Sequence, residues 1–359
     1  MSRPGHVTTG RYAPPAAARE LVAVSADGAR LHVEVHGAEG APAVVLSHGW
    51  TCSTAFWAAQ IRELSRDHRV IAYDQRGHGR SPAAAAYSTT ALADDLAAVL
   101  EAALASGERA VVAGHSMGGM TVMAAAGRPE FAEHVAAALL CSTGSSRLVA
   151  EATVLPLRAG RARTRTTRAV LGSRAPLGPV TPLGRAVLKY ATMGPGSAPD
   201  RVEACARIVH ACPPGVRHAW SEVLAGLDLD AGLAGLTVPT AVLVGRDDRL
   251  TPVAHARRIA VALPHCVGLT ELTGMGHMTP VEAPEAVTGA VRELTTRYLG
   301  SAAGPPAPAA VPSPSAVPAV PAAVVVLAVP SDAGASDTSS GSGASAVSDV
   351  SDAPKEKTA

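Results

Sequence analysis

The chain has almost no excess of charge of either sign, and it has few aromatic side chains. Its 359 residues carry 31 Lys and Arg against 30 Asp and Glu, so the formal net charge is only +1. A chain without a strong overall positive field does not attract nucleic acid as a whole molecule. Aromatic residues make up 3% of the sequence, and none is interleaved with the arginines between residues 147 and 189 as base-stacking sites require. We therefore expect no nucleic-acid partner.

Paired cysteines and long apolar runs are also missing. The five cysteines are odd in number and lack Cys-x-x-Cys spacing, which favours free thiols in a reducing compartment over disulfides or a metal site. The N-terminal residues contain no apolar signal-peptide core, and no stretch of 18 apolar residues occurs. We expect a cytoplasmic protein without a membrane span, metal or organic cofactor. The cysteines are Cys52, Cys141, Cys205, Cys212 and Cys266.

Short apolar runs alternate with helix-like stretches over most of the chain. Alternating apolar and polar residues around Asp27-Gly28 predict a β-hairpin at a sheet edge. Helices are predicted over residues 55–66, 89–105 and 282–298, and two further helices are predicted directly after Ser116 and after Pro252. This alternation predicts a mostly parallel sheet covered by helices on both faces. The predicted buried strands are "APAVVLSHG", "RVIAYD", "AVVAGH", "HVAAALLCST", "PTAVLVG" and "CVGLTEL".

Composition divides the chain into four parts. Residues 1–19 are expected to form a flexible leader, and residues 20–144 together with 236–299 the α/β core. Residues 145–235 lack strand patterns and are rich in Gly, Pro and Arg, so we expect an inserted lid over the carboxyl edge of the sheet. Residues 300–359 are rich in Pro, Ala and Ser and are expected to be a disordered tail.

The segment "AVVAGHSMGGM" places a serine between a predicted strand and a predicted helix. Gly114-x-Ser116-x-Gly118 fits the nucleophile elbow, in which the serine occupies a strained turn that needs neighbours without side chains. A serine hydroxyl needs a base, and the base needs a carboxylate. Asp247 and Asp248 follow one later strand and His277 follows the next, which is the order this arrangement requires.

With these motifs the chain resembles the α/β-hydrolase superfamily, close to its lid-bearing serine esterases and cofactor-free haloperoxidases. The resemblance covers about residues 20–299 and implies a mostly parallel eight-stranded sheet with helices on both faces and a helical lid. It implies a catalytic triad of Ser116, His277 and Asp248, with His277 as the base. Asp248 is implied as the acid because Gly245, Asp248 and Pro252 match the family pattern Gly-x-x-Asp-x-x-x-Pro. It rests on "LSHGW", "YDQRGHGRS", "GHSMGG", "GRDDRLTP" and "GMGHMTPVEAPE".

The resemblance also implies an oxyanion hole built from two backbone N–H groups, those of Trp50 and Met117. The Trp50 side chain is equally open to two interpretations, a packed indole or a pocket wall of the haloperoxidase type. We expect a structural or pocket-lining role for the remaining polar residues near the motifs and in the lid. They are His48, Asp74, Arg76, His78, Ser81, His115, His210 and His218.

Positive charge is concentrated in the predicted lid. From Arg147 to Lys189 there are nine Lys or Arg against one acid, Glu151, in a protein of net charge +1. A solvated basic surface is the simplest interpretation. Steering of anionic substrates, or weak contact with an anionic membrane surface, is the functional alternative.

Three functions are compatible with these residues. The first is hydrolysis of a carboxylic ester, lactone or thioester of hydrophobic character through an acyl-enzyme on Ser116. The second is a cofactor-free haloperoxidase or perhydrolase that uses the same triad. The third is a non-catalytic ligand-binding protein on the same fold.

Overall fold

An eight-stranded sheet forms the centre of the fold. A computed structural model of the chain describes residues 8–300. In space the strands follow the order β1-β2-β4-β3-β5-β6-β7-β8; the β1–β2 and β2–β4 pairs are antiparallel and all others parallel. The strands are β1 Arg19–Val24, β2 Arg30–His36, β3 Ala43–Ser47, β4 Arg69–Tyr73, β5 Ala110–His115, β6 Val135–Cys141, β7 Thr240–Gly245 and β8 Cys266–Leu272.

Thirteen α-helices surround the sheet within the described residues. Six of them, α5 to α10, lie between β6 and β7, and no strand interrupts them. The helices are α1 Ala58–Leu64, α2 Thr89–Ala103, α3 Met117–Ala125, α4 Pro129–His134, α5 Leu148–Glu151, α6 Arg161–Leu171, α7 Pro182–Thr192, α8 Pro199–Ala211, α9 Pro214–Ala225, α10 Asp230–Gly235, α11 Val253–Ala262, α12 Thr279–Glu282 and α13 Pro284–Tyr298.

The interior strands are buried on both faces. Every residue of β3, β4, β5 and β6 is buried, which explains their runs of Val, Ala and Leu. Successive side chains alternate between two apolar clusters: Val112 contributes to one, and Val111 and Ala113 to the other. The fold is therefore the mostly parallel, doubly covered sheet that the sequence predicts.

Local boundaries differ from the sequence expectations in three places. The helix predicted over 55–66 is a 3₁₀ turn, Thr54–Trp57, followed by α1. Helix α4 was not predicted, although Pro129 at its first position is a normal helix-start signal. Strand β1 begins at Arg19, one residue inside the predicted leader.

Part of the predicted leader contacts the folded chain. Residues Gly10–Tyr12 form a 3₁₀ turn, and the guanidinium of Arg62 in α1 donates hydrogen bonds to the carbonyl oxygens of Arg11, at 2.9 Å, and Ala13, at 2.8 Å. Residues 1–7 of that leader, and the predicted tail from residue 301 onward, lie outside the described residues.

Candidate active site

Ser116 occupies a strained backbone position between β5 and α3. Its φ of 52° and ψ of −116° lie where residues other than glycine are rare, at a cost of roughly 1–3 kcal/mol. Hydrogen bonds hold it there: its N–H donates to the Cys141 carbonyl at 2.9 Å, and its carbonyl accepts from the Thr143 hydroxyl at 2.7 Å. The chain thus holds a serine, itself partly exposed, at the carboxyl end of a buried strand.

The glycines beside Ser116 allow the backbone to pass closely. A Cβ on Gly118 would collide with the carbonyl oxygen of Ser47 at the end of β3, and one on Gly114 with the backbone of Gly118. A Cβ on Gly49 would lie 3.1 Å from the Ser116 Cβ. These contacts bring the loop after β3 against the elbow and explain why this turn contains several glycines.

Asp248 and His277 are joined at the same edge of the sheet, after β7 and β8. The His277 Nδ1 lies 2.8 Å from the Asp248 Oδ2, and both residues are buried. The Asp248 Oδ1 accepts hydrogen bonds from the backbone N–H groups of Leu250, at 2.9 Å, and Thr251, at 2.8 Å. An acceptor-only carboxylate fixed in this way places the proton of the neutral imidazole on Nδ1.

Asp247 is in a different environment. Its backbone N–H donates to the Met275 carbonyl at 2.9 Å, and its side chain is only half-buried and makes no hydrogen bond to another residue between 8 and 300. The structure therefore pairs His277 with Asp248 rather than with its neighbour.

His115, the last residue of β5 and the neighbour of Ser116, contacts the backbone and the ring of His277. The His115 Nε2 lies 2.8 Å from the His277 carbonyl oxygen, and the two rings are 4.9 Å apart. Within residues 8–300 the Ser116 hydroxyl forms no hydrogen bond, to His277 or to any other group. In structures without substrate, hydrogen bonds between a nucleophile and its base are often long or poorly aligned.

Two backbone amides lie beside the serine. Met117 is the first residue of α3, so its N–H has no partner within the helix. Trp50 follows Gly49 on the loop that touches Ser116, and its indole Nε1 donates to the Arg217 carbonyl at 3.1 Å. Neither the Trp50 nor the Met117 N–H donates to another group in the described part of the chain.

The loop that carries Trp50 is braced by buried histidines. The Gln75 N–H donates to the His48 Nε2 at 3.0 Å, and the Thr51 N–H donates to the His78 Nε2 at 3.1 Å. Burial, and then the positive charge that His78 would carry, lower the pKa of His48 to about 3. Burial likewise lowers the pKa of His78 to about 4. Both rings are therefore neutral supports near neutral pH.

Asp74 and Arg76, two other polar residues of the sequence analysis, also make structural contacts. The Asp74 carboxylate accepts hydrogen bonds from the backbone N–H groups of Thr54 and Arg80, each at 2.8 Å. Burial raises the pKa of Asp74 to about 6. The Arg76 guanidinium binds both carboxylate oxygens of Asp95, at 2.7 and 2.6 Å. These contacts agree with the structural role expected for Asp74 and Arg76.

The Ser116 side chain faces a mainly apolar pocket. Nine of its fourteen lining residues belong to the segment between β6 and β7, and Arg168 is the one charged side chain among the fourteen. Its empty volume, including the part open to solvent, is about 560 Å³. The lining residues are Trp50, Ser116, Met120, Leu148, Val149, Ala152, Arg168, Leu171, Gly172, Ser221, Leu224, Ala225, Leu250 and Thr251.

Comparison with known proteins identifies the family. Residues 42–284, more than half of the chain, match the family model described as alpha/beta hydrolase fold. The chain is an α/β hydrolase.

Individual relatives of this hydrolase agree with that assignment. It is 32% identical to a "Putative carbamate hydrolase RutD" of Variovorax paradoxus over 283 residues, 77% of this chain and 99% of the relative. It is 25% identical to the 3-oxoadipate enol-lactonase 2 of Acinetobacter baylyi over 77% of this chain and 96% of the relative. Among solved structures, a thermophilic esterase from Thermogutta terrifontis has 26% identity and a TM-score of 0.64, and covers 78% of this chain and 99% of its own.

Two residues of the hydrolase site were missed by sequence reasoning. The Thr251 hydroxyl lies 2.9 Å from the Asp248 Oδ2 and 3.2 Å from the His277 Nδ1, so it packs directly against their contact. Glu282 is buried, and its carboxylate accepts the N–H groups of Gly276 and Met278, which flank His277. Both residues stand inside the motifs "GRDDRLTP" and "GMGHMTPVEAPE", but only folding shows what they touch.

The remaining histidines of the sequence analysis, His115, His210 and His218, are not among the residues that line the pocket. His115 is buried, and burial holds its pKa well below the ordinary value. His210 and His218 bond through Nδ1 to the carbonyl oxygens of Gly178, at 3.0 Å, and Gly172, at 2.6 Å. Between residues 8 and 300, no group of three or more His, Cys, Asp or Glu side chains is arranged to hold a metal ion.

Proposed function

We propose that this α/β hydrolase cleaves carboxylic esters through an acyl-enzyme on Ser116, with His277 as general base and Asp248 as the orienting acid. The observation that carries the proposal is the 2.8 Å contact between the His277 Nδ1 and the Asp248 Oδ2 at the sheet edge that bears the strained Ser116. An imidazole held at Nδ1 by a carboxylate presents Nε2 as the acceptor for a hydroxyl proton.

The proposed reaction uses these three groups in two stages. His277 Nε2 takes the proton of the Ser116 hydroxyl as its oxygen attacks the carbonyl carbon, and Asp248 stabilises the resulting imidazolium. The imidazolium returns that proton to the leaving alcohol as the acyl-enzyme forms. A water molecule, deprotonated by the same imidazole, attacks the acyl-enzyme. As the bond between the acyl carbon and the Ser116 oxygen breaks, the imidazolium returns the proton to that oxygen, which releases the acid and restores Ser116.

The Trp50 and Met117 amides are the proposed oxyanion hole. Both belong to segments that touch Ser116, and neither is engaged by another described residue. Donors that are already fixed cost little reorganisation when negative charge develops on the carbonyl oxygen. Removal of one such donor typically raises the barrier by roughly 3 kcal/mol.

The composition of the pocket favours a small, hydrophobic ester or lactone as the substrate. Leu148, Leu171 and Leu224 are among its lining side chains, and polar groups are few. The relatives are named as a carbamate hydrolase, an enol-lactonase and an esterase. Each of these three reactions involves attack on a carbonyl carbon that is bonded to a heteroatom leaving group. That shared step is the one for which we propose Ser116.

The helical segment 145–235 is the proposed lid. Its helices α5, α6 and α9 supply half of the residues that line the pocket, and the Thr192 carbonyl at the end of α7 accepts a hydrogen bond from the His277 N–H at 2.8 Å. A segment with both contacts would exclude water from the reacting groups and influence which acyl groups enter.

Active-site labelling tests the proposal. The wild-type protein should react with a fluorophosphonate probe at Ser116 and hydrolyse short p-nitrophenyl esters. Ser116→Ala should lose the label and bring turnover close to the uncatalysed background, a loss of about 10⁴-fold or more.

Ser53→Ala is the matched control. Ser53 lies on the loop after β3 and makes no capping hydrogen bond through its side chain, so its removal should leave labelling and turnover unchanged. Equal turnover in wild type and Ser116→Ala would refute the triad. A wild-type protein that binds esters without being labelled or turning over would support a non-catalytic function.

A further inference from the structure

One stretch of the chain is mostly exposed although it contains one full helix and most of a second. Residues 157–190, here called the basic segment, include α6 and all but the last two residues of α7, and Thr167 is the only buried residue between 157 and 190. Helices normally gain their stability by burying an apolar face against the protein. The basic segment therefore has surfaces that the described chain does not cover.

The basic segment is strongly cationic. It contains seven arginines and one lysine and no Asp or Glu. Two of its arginines pair with acids elsewhere, Arg168 with Glu222 and Arg185 with Glu203, each at 2.6 Å. The other cations form no ion pair with any residue from 8 to 300; they are Arg158, Arg161, Arg163, Arg165, Arg174 and Lys189.

The basic segment is also where the surface is most apolar. Of nine large hydrophobic side chains that are exposed in the described chain, six lie within it. On α7, Leu183 is 74% exposed, Val187 59% and Tyr190 45%. Because these residues are four and three positions apart, they form one stripe along the helix. Leu188, on another side of α7, packs against the core, so the stripe faces outward.

We propose that the basic segment docks on an anionic lipid surface, with the Leu183, Val187 and Tyr190 stripe in the interface and the arginines at the headgroup phosphates. This partner offers negative charge and apolar depth together, which is the combination the segment displays. Nucleic acid offers the charge without an apolar face. A second copy docking face to face would set one cationic segment against another.

Docking of this kind is peripheral. Helices α6 and α7 have 11 residues each, about half the length needed to cross a bilayer. Among residues 8–300, no helix combines the length and hydrophobicity of a membrane span. The apolar stripe would reach only the boundary between headgroups and acyl chains, and binding would weaken as salt screens the arginines.

Vesicle flotation tests the proposal on the full chain. Wild-type protein should float with phosphatidylcholine vesicles containing 30% phosphatidylserine, should remain at the bottom with pure phosphatidylcholine, and should dissociate as NaCl is raised to 0.5 M. Arg161→Gln/Arg165→Gln should weaken the partition coefficient roughly tenfold or more, since each cation near such a surface contributes several-fold. Leu183→Ser/Val187→Ser should weaken it even at low salt, where the arginines are least screened.

Matched controls distinguish binding through this surface from nonspecific adsorption to vesicles. Arg30→Gln/Arg66→Gln removes two exposed arginines elsewhere, and Val22→Ser/Val24→Ser removes two exposed valines of β1; neither should change flotation. Circular dichroism and ester turnover verify that every variant is folded. Wild-type flotation that is absent, or equal for neutral and anionic vesicles, would overturn the proposal. So would equal losses in the control variants, or a stripe variant that instead abolishes self-association measured by sedimentation.

Discussion

At the scale of single residues, Asp247 and Asp248 are adjacent in sequence and chemically identical, yet differ in their contacts. Asp248 accepts four hydrogen bonds, from the backbone of Leu250 and Thr251, from the Thr251 hydroxyl and from His277. The side chain of Asp247 is half-buried and is not hydrogen-bonded within residues 8–300. The two aspartates therefore form a natural pair of test and control.

Asp248→Asn should lower kcat about 10³- to 10⁴-fold, because an amide cannot fix the tautomer of His277 or stabilise its imidazolium. Asp247→Asn should keep kcat within about twofold of wild type. Steady-state hydrolysis of a p-nitrophenyl ester measures both, with thermal unfolding to verify folding. If the Asp247 variant shows the larger loss, Asp248 is the wrong acid.

At the scale of elements, the elbow depends on how closely α3 approaches the end of β3. Gly118 in α3 is the contact point, since a Cβ there would collide with the Ser47 carbonyl oxygen. Ser47 pairs with Tyr73 of β4 on one side and with Gly114 of β5 on the other. Its carbonyl therefore cannot move aside without disturbing β3. The backbone φ of Gly118 is ordinary, so the requirement for glycine is steric.

Gly118→Ala should destabilise the fold by about 1–3 kcal/mol, as overpacking of a tight interior does. Gly127→Ala is its control, because a Cβ on Gly127, just after α3, meets nothing within 4 Å. That substitution should be neutral or slightly stabilising through the entropy of the unfolded chain. Urea unfolding of both variants measures the difference. Equal stability would show that the close approach is not maintained.

At the scale of the whole molecule, three buried histidines couple stability to pH. Burial lowers the pKa of His48 to about 3 and of His78 to about 4, and holds the pKa of His115 well below its ordinary value. In the unfolded chain each ring titrates near pH 6.5. Below that pH the unfolded chain takes up protons that the folded chain does not, so stability present above pH 6.5 is lost as the pH falls toward 4.

The three histidines together should remove about 3 kcal/mol of unfolding free energy between pH 6 and pH 5. His78→Asn should reduce that loss by about a third, although it also lowers stability at neutral pH by removing the acceptor of the Thr51 N–H. His265→Asn removes an exposed ring and serves as the control for the loss of a histidine. Urea titrations at pH 6 and pH 5 measure all three proteins, and an unaltered slope in His78→Asn would contradict this account.

Much of the fold followed from local pattern. The buried strands appear as runs of Val, Ala and Leu because parallel strands covered on both faces admit little else. The hairpin around Asp27-Gly28 was predicted by alternation and is present as β1 and β2. Helix α4 and the 3₁₀ start before α1 were missed, since short elements carry too few residues for a periodic signal.

The candidate site was harder to predict in its supporting residues than in its reactive ones. Ser116 and His277 stand in recognisable motifs, whereas Thr251 and Glu282 act through contacts that form only in the folded chain. Likewise, the sequence revealed a concentration of arginines near the predicted lid, but the outward stripe of Leu183 and Val187 became visible only with the exposure of α7.

The sequence by itself determined the alternation of strands and helices, the glycines around Ser116 and the chain order of serine, aspartate and histidine, because each is a local pattern of side-chain size or polarity. Tertiary structure alone decided which aspartate meets His277, which side chains brace that contact and which face of α7 remains uncovered. Those outcomes depend on distances between segments far apart in sequence, and such distances exist only once the sheet has assembled.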